Sequence, residues 1–238
     1  MAAAKRSNGT LVLLGGGEWQ EPCRDIDGAL LEIAGGEEVL VLPAAAAFEH
    51  PARVVQRATV WFESFGARVV GLEVVNRRDA ERNEIAAQAR DARFIYVADG
   101  SPLHLRSVLK GSALYEAMVK AYHGGAVIAA SGAGATLLCD PMVDPRGGAY
   151  TVGLGLVRGL AVFPYHGRAA DHLRERSVEL LPSDATLVGL DEHTALVRLP
   201  SGDWHVHGAG VATVYRTGAD VREVRAGEPV DLFEAATA

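Results

Sequence analysis

The sequence predicts an α/β protein with a doubly wound, mostly parallel sheet, helices on both faces and added antiparallel strands near the C-terminus. Continuous apolar runs of strand length recur through the first two thirds of the chain, as in parallel strands that are buried on both faces. Amphipathic segments of helical length lie between them, and this alternation builds a sheet with right-handed crossovers. From about residue 184, short strands joined by turn residues replace the pattern. We expect those strands to extend one edge of the sheet.

The predicted elements follow one another without an internal repeat, low-complexity tract or linker. The buried strands are "TLVLLG" (10–15), "EVLVLP" (38–43), "RVVGLEVV" (68–75), "RFIYVA" (93–98) and "AVIAAS" (126–131). The helices are "DIDGALLEIAG" (25–35), "HPARVVQRATVWFESFG" (50–66), "DAERNEIAAQARDA" (79–92) and "SALYEAMVKAYHGG" (112–125). The late strands are "ATLVGLDE" (185–192), "TALVRLP" (194–200), "WHVHG" (204–208), "VATVYR" (211–216) and "VREVRAG" (221–227). We expect one domain over residues 1–238.

Charge and cysteine usage narrow the class of protein. The formal net charge is −7, so no basic excess favours nucleic acid or an anionic membrane surface. Two cysteines in 238 residues are too few for a disulfide framework, which favours a reducing compartment. The first apolar run is too short for a signal peptide or a membrane span. We expect a cytoplasmic protein with no cofactor and no metal.

Ligands of open α/β sheets bind beyond the carboxyl ends of the parallel strands. The loops at those ends are "GGGEW" (15–19), "PAAAAFEH" (43–50), "ADGSPLHL" (98–105) and "ASGAGATLL" (130–138). The three glycines lack the spacing of a phosphate-binding loop, and they also suit a tight turn or a close backbone approach. The "ADGSP" loop precedes a helix, whose free amides could hold an oxyanion, although an ordinary capped turn fits its spacing equally well.

The stretch "AASGAGA" (129–135) fits a nucleophile elbow, the sharp strand-to-helix turn that exposes one side chain, in two frames. In one frame Ser131 is the nucleophile between Ala129 and Ala133. In the other frame the tip is Gly132, between Ala130 and Gly134, and no nucleophile is present. The spacing slightly favours the second frame, because glycine then stands where the helix passes close to the strand.

Two segments provide acid–base candidates for a serine–histidine–carboxylate arrangement. His166 follows the apolar run "GLAVFPY", so it would stand at a strand end. Asp191 and Glu192 in "GLDEHTALV" would stand at another strand end or turn. A carboxylate that orients a histidine, which in turn activates a serine, is the logic of the catalytic triad. A hydrogen-bonded structural histidine is the alternative for His166.

Taken together, these blocks resemble peptidase family S51, which includes dipeptidase E and cyanophycinase, within the flavodoxin-like class I glutamine amidotransferase superfamily. The similar stretches are "LVLLGGGEW", "VLPAAAAFE", the block from "ADGSP" to "DPMVD", "GLGLVRGLAVFPYHGR" and "LVGLDEHTALV". The resemblance implies a serine peptidase that cleaves small aspartyl peptides or amides. It also implies His166 as the base, Glu192 as its orienting carboxylate, and Gly100 with Ala133 as the oxyanion hole. We expect Ser101 and Arg168 to bind substrate, and the chain to form a possible homodimer.

The chain departs from the family pattern at two places. The family loop G-G-[DN]-Q reads Asp99-Gly100-Ser101-Pro102 here, so its first glycine and its glutamine are replaced. The family elbow G-x-S-A-G-A reads Ala130-Ser131-Gly132-Ala133-Gly134-Ala135, which puts Gly132 at the nucleophile position. Two hypotheses follow: a hydrolase that recruits Ser131 through a shifted turn, or an inactive homologue that binds a small ligand or partner in the same pocket.

Overall fold

A computed structural model describes residues 8–233 of the chain. Its strands are β1 (Leu11–Leu14), β2 (Glu38–Leu42), β3 (Arg68–Gly71), β4 (Phe94–Val97), β5 (Val127–Ser131), β6 (Cys139–Asp140), β7 (Met142–Val143), β8 (Tyr150–Thr151), β9 (Val157–Arg158), β10 (Leu160–Pro164), β11 (Thr186–Leu190), β12 (Thr194–Arg198), β13 (Trp204–Gly208), β14 (Ala212–Arg216) and β15 (Arg222–Val224). Its α-helices are α1 (Arg24–Ala34), α2 (Pro51–Glu63), α3 (Arg77–Ala80), α4 (Asn83–Asp91), α5 (Pro102–Leu109), α6 (Ala113–His123), α7 (Ala133–Leu138) and α8 (Asp171–Glu179). Short 3-10 turns cover Glu21–Cys23, Ala44–Ala46 and His166–Arg168.

The main sheet has seven strands in the order β13-β12-β1-β5-β4-β2-β3. The five strands from β1 to β3 in this order are mutually parallel, and β12 pairs with β1 antiparallel. The five apolar runs of the sequence form those parallel strands. The predicted α/β class, with a mostly parallel sheet and antiparallel strands late in the chain, is confirmed.

Side chains of β1 alternate between the two faces of the main sheet. Leu11 and Leu13 pack on the face that α4, α5, α6 and α7 cover, whereas Val12 and Leu14 face α1 and α2. Successive residues of a strand point to opposite faces, so a strand with helices on both sides must be apolar throughout. This is why the run "LVLL" is continuous.

The late strands do not all join one edge of the main sheet, as the sequence suggested. Only β12 and β13 do so, whereas β11, β14 and β15 lie in a second sheet of order β15-β14-β11-β10-β6-β9. Within it, β10 and β11 are parallel and β14 runs antiparallel to β11. Valines and leucines of both sheets share one apolar core, in which the second sheet packs against α7.

Candidate active site

The elbow lies at the carboxyl edge of the main sheet, between the loops of two neighbouring strands. The strand β5 ends at Ser131, Gly132 forms the turn and α7 begins at Ala133. Since β5 pairs with β1 on one side and β4 on the other, the loop after β1 and the loop after β4 both border the turn. These two loops contain Glu18 and Asp99.

Gly132 is the tip of this turn. Its φ of +45° and ψ of −101° lie in a region where a residue with a side chain is strained, and glycine adopts this conformation without that strain. A Cβ on Gly132 would stand 2.2 Å from Oδ1 of Asp99. The space beside the tip, where an elbow presents its nucleophile, is therefore occupied by another residue's carboxylate.

The Asp99 carboxylate is held by three donors. Its Oδ1 accepts hydrogen bonds from the backbone N–H of Gly100 at 2.7 Å and from that of Ala133 at 2.6 Å. Its Oδ2 accepts a hydrogen bond from the Tyr165 hydroxyl. The two amides proposed from the sequence as an oxyanion hole thus converge on one point, and Asp99 occupies that point.

Ser131 points to the other side of β5. Its side chain is fully buried, and its hydroxyl donates to Oε2 of Glu18 at 2.8 Å. Glu18 is itself buried, and its Oε1 accepts from the Asp99 backbone N–H at 3.4 Å. The serine therefore anchors the loop after β1 and does not face the cavity at the elbow.

His166 lies in the 3-10 turn after β10 and is nearly buried. Its Nε2 is 3.0 Å from the Tyr215 hydroxyl, with the donor set by the tautomer of the ring. Burial lowers the pKa of His166, the positive charge of Arg174 lowers it further, and the negative charges of Asp191 and Glu223 act in the opposite direction. Its neutral form, bound to Tyr215, fits a structural role for the ring.

Tyr165, the neighbour of His166, is the residue of this segment that reaches the elbow. Tyr165 has a positive φ of 55°, and its hydroxyl contacts Asp99. Its ring also packs on the backbone of Gly16, where a Cβ on residue 16 would stand only 2.2 Å from Cζ of Tyr165. Burial raises the pKa of Tyr165, and the negative charge of Asp99 raises it further, so the hydroxyl stays protonated as a donor. The glycine run after β1 thus serves close packing, one of the two alternatives that its spacing left open.

The remaining sequence candidates have other partners. Oε2 of Glu192 is 2.8 Å from Nε of Arg168, whose side chain is 78% exposed. Oδ2 of Asp191 accepts from the backbone N–H of Val211 at 3.1 Å. Ser101 accepts from the His104 amide at 3.3 Å and caps α5. Within residues 8–233, the proposed serine, histidine and carboxylate share no hydrogen bond with one another.

A cavity of about 260 Å³ opens beside the elbow. Asp99, Gly100, Ala133 and Tyr165, which are joined by hydrogen bonds at the elbow, are among the residues that line it. Its other walls are mostly apolar: Pro102, Thr136, Val143, Pro145, Phe163, Pro164, Ala169 and Leu173. Concave, mainly apolar sites with a few polar groups are typical of small-molecule binding.

Sequence reasoning missed the roles of Asp99, Tyr165 and Glu18. The signal for Asp99 was present, because it replaces the first glycine of the family loop. No pattern distinguished Tyr165 from the adjacent histidine, since a one-residue difference in direction depends on the backbone of the turn.

Two negative findings concern the described part of the chain. None of its helices combines the length and apolar character needed to cross a membrane. Residues 8–233 also contain no group of three or more His, Cys, Asp or Glu side chains placed to hold a metal ion.

A parallel sheet that ends in a strand–turn–helix elbow, with two amides converging beside the tip, defines an α/β protein built on the plan of serine hydrolases. The chain belongs to peptidase family S51, whose model matches residues 11–201. It is 26% identical over 219 residues to cyanophycinases of Synechococcus elongatus and Thermosynechococcus vestitus, covering 87% of this chain and 67% of theirs. The family resemblance drawn from the sequence is confirmed.

Solved structures agree with this assignment. A peptidase from an acI-B1 Actinobacterium is 26% identical and superposes with a TM-score of 0.86, over 96% of this chain and 98% of the other. A putative peptidase E protein from Listeria monocytogenes EGD-e is 17% identical with a TM-score of 0.60, over 92% and 99% of the two chains, which shows a common fold.

Proposed function

We propose that this chain is a non-hydrolytic member of the S51 family that binds a small ligand in the cavity at its elbow. The observation that carries the proposal is the position of the Asp99 carboxylate. It takes both amides that would stabilise an oxyanion, and it fills the space beside Gly132 where a nucleophile would stand. Hydrolysis of small aspartyl peptides, the activity that the resemblance implies, would need both places free.

The alternative, a hydrolase that uses Ser131, finds little support in the geometry. An activated serine needs a base within hydrogen-bond reach, and the hydroxyl of Ser131 donates instead to a buried carboxylate. His166 is engaged by Tyr215 on β14. Loss of one member of a triad typically lowers the rate by roughly four to six orders of magnitude.

The cavity remains suited to binding. Its walls combine apolar side chains with one carboxylate and one tyrosine hydroxyl. Apolar walls supply affinity through burial, and the few polar groups orient a ligand. Binding without turnover requires no nucleophile, so the two departures from the family motif leave this role intact.

A fluorophosphonate probe tests the proposal directly. We expect the purified wild-type chain to remain unlabelled under conditions that label an active S51 peptidase, and to show no release of product from aspartyl dipeptides. The Ser131→Ala variant is the matched control and should behave as wild type in both assays. Labelling of the wild type that disappears in Ser131→Ala would establish a serine hydrolase and overturn the proposal.

A further inference from the structure

The negative charge of Asp99, which lines the cavity, is not balanced by a cation among the described residues. Within residues 8–233, no Lys, Arg or His nitrogen lies within 4.0 Å of a carboxylate oxygen of Asp99 or Glu18. The guanidinium of Arg57 contacts the backbone carbonyl of Glu18 at 3.5 Å, and not its carboxylate. The donors to Asp99 are two amides and a phenol, which supply hydrogen bonds but no full positive charge.

The lining of the cavity does not supply that charge either. Among the described residues that line it, none is Lys, Arg or His. Its side walls are apolar, and they are contributed chiefly by Pro102, Val143, Pro145, Phe163, Pro164 and Leu173. A carboxylate at the end of an apolar pocket attracts a cation more strongly than it would in open water, because the surroundings screen charge less.

We propose that the cavity takes a small compound with a protonated amine and a compact apolar body. The ammonium group would lie at Oδ2 of Asp99, which accepts one hydrogen bond, from Tyr165, whereas Oδ1 accepts two. The apolar body would lie against the proline-rich walls. This inference rests on the proposed function, because it requires Asp99 to stay in the place of a nucleophile.

The same geometry disfavours an anionic ligand. A ligand carboxylate would meet the negative charge of Asp99 and would find the amides of Gly100 and Ala133 already donating. Specificity arises from such unfavourable contacts as well as from favourable ones. The expected preference is therefore opposite in charge to the acidic peptides that the family resemblance implies.

Three probes of similar size and different charge test the inference: benzylamine, benzyl alcohol and benzoate. The cavity is larger than the roughly 150 Å³ of an engineered apolar cavity that binds benzene, so a single substituted ring is an appropriate size. In calorimetric titrations at pH 7 and low salt, we expect benzylamine to bind at least about tenfold more tightly than benzyl alcohol, because a hydrogen bond between two charged groups is stronger than one to a neutral group, and benzoate to bind most weakly. Equal or tighter binding of benzoate, or binding of none of the three, would overturn the inference.

Asp99→Asn tests the assigned group, because an asparagine carbonyl still accepts from the two amides while the charge is removed. We expect it to lose most of the affinity for benzylamine and to keep that for benzyl alcohol. Asp203→Asn, at the exposed turn between β12 and β13, is the matched control and should bind benzylamine as wild type does. Unchanged benzylamine affinity in a folded Asp99→Asn would contradict the inference, and the three-probe series on the wild type decides it if that variant does not fold.

The two proposals fail in different ways. A wild-type chain that the fluorophosphonate labels at Ser131 overturns the non-hydrolytic function, whatever amines it binds. An unlabelled chain that prefers benzoate overturns the ligand class alone.

Discussion

At the tip of the elbow, a glycine and an aspartate share the volume that one nucleophilic side chain would need. Gly132 has no Cβ, and Oδ1 of Asp99 lies 2.2 Å from the position such an atom would take. In the family motif, a glycine stands at the position of Asp99 and a serine at that of Gly132. The two departures are therefore complementary in space: the loss of one side chain makes room for the other.

This complementarity predicts a coupling between the two positions. Gly132→Ser should lower the free energy of unfolding by about 1–3 kcal/mol, because a strained φ and a collision with Asp99 add together. The double variant Gly132→Ser/Asp99→Gly should lose less than the sum of the two single losses, by about 0.5–3 kcal/mol in urea unfolding.

Gly111 provides a control that separates the effect of backbone strain from that of the collision with Asp99. Gly111 also has a positive φ, of 69°, but a Cβ there would meet nothing within 4 Å. Gly111→Ser should therefore be additive with Asp99→Gly. Additive losses for Gly132→Ser with Asp99→Gly would show that the two side chains do not compete for the same space.

At the scale of elements, a buried carboxylate joins the first two helices. Asp27 of α1 is almost completely buried, and its Oδ2 accepts from Nε1 of Trp61 on α2 at 2.8 Å. Burial raises the pKa of Asp27 from its ordinary value of 3.8 to about 7; the hydrogen bond from Trp61 acts against this shift, and the charge of Glu18 adds to it. The folded chain therefore holds the Asp27 proton more tightly than the unfolded chain does.

The free energy of unfolding should consequently fall as pH rises from about 4 to about 7. In this window the folded chain keeps the Asp27 proton and the unfolded chain releases it, so the stabilisation is complete below the unfolded pKa and is lost above the folded one. The total loss should be at most about 4 kcal/mol. Urea unfolding at a series of pH values should show this decline in the wild type and a flatter profile in Asp27→Asn. Asp25 is exposed on the same helix, so Asp25→Asn is the control and should decline as the wild type does. Parallel profiles in all three proteins would contradict the prediction.

At the scale of the whole molecule, the last strands complete both sheets. The strand β13 pairs with β12 of the main sheet, and β14 pairs with β11 of the second sheet. Val206 of β13, Val214 of β14 and Val224 of β15 are buried in the core that the two sheets share. The segment after residue 201, where the match to the family model ends, is thus part of the packed structure.

A chain shortened to residues 1–201 should therefore lose cooperative unfolding. It would expose the paired edges of β11 and β12 and remove several buried aliphatic side chains, each worth roughly 1.5–3 kcal/mol. We expect increased binding of the dye ANS and a loss of near-ultraviolet circular dichroism in the shortened chain, and neither change in the full-length protein measured beside it. A shortened chain that still unfolds in one sharp transition would contradict this prediction.

The sequence predicted the fold better than the arrangement of the late strands. Buried parallel strands leave a continuous apolar signature, which located β1 to β5 within a few residues. Short antiparallel strands indicate that they pair but not with which sheet, because β12 and β14 show similar patterns and join different sheets. Within the site, the turn at Gly132 follows from a local motif, whereas the amides of Gly100 and Ala133 were expected from the family resemblance.

The sequence by itself determined the five parallel strands, the elbow, and the glycine at its tip, because these depend on neighbouring residues. The tertiary structure alone decided what stands beside that tip. Asp99 and Ala133 are 34 residues apart in the chain, and Asp99 and Tyr165 are 66 apart. Their hydrogen bonds form because the loops that follow β4, β5 and β10 lie together at the carboxyl edge of the main sheet. No local pattern records which side chain fills the space where those loops meet.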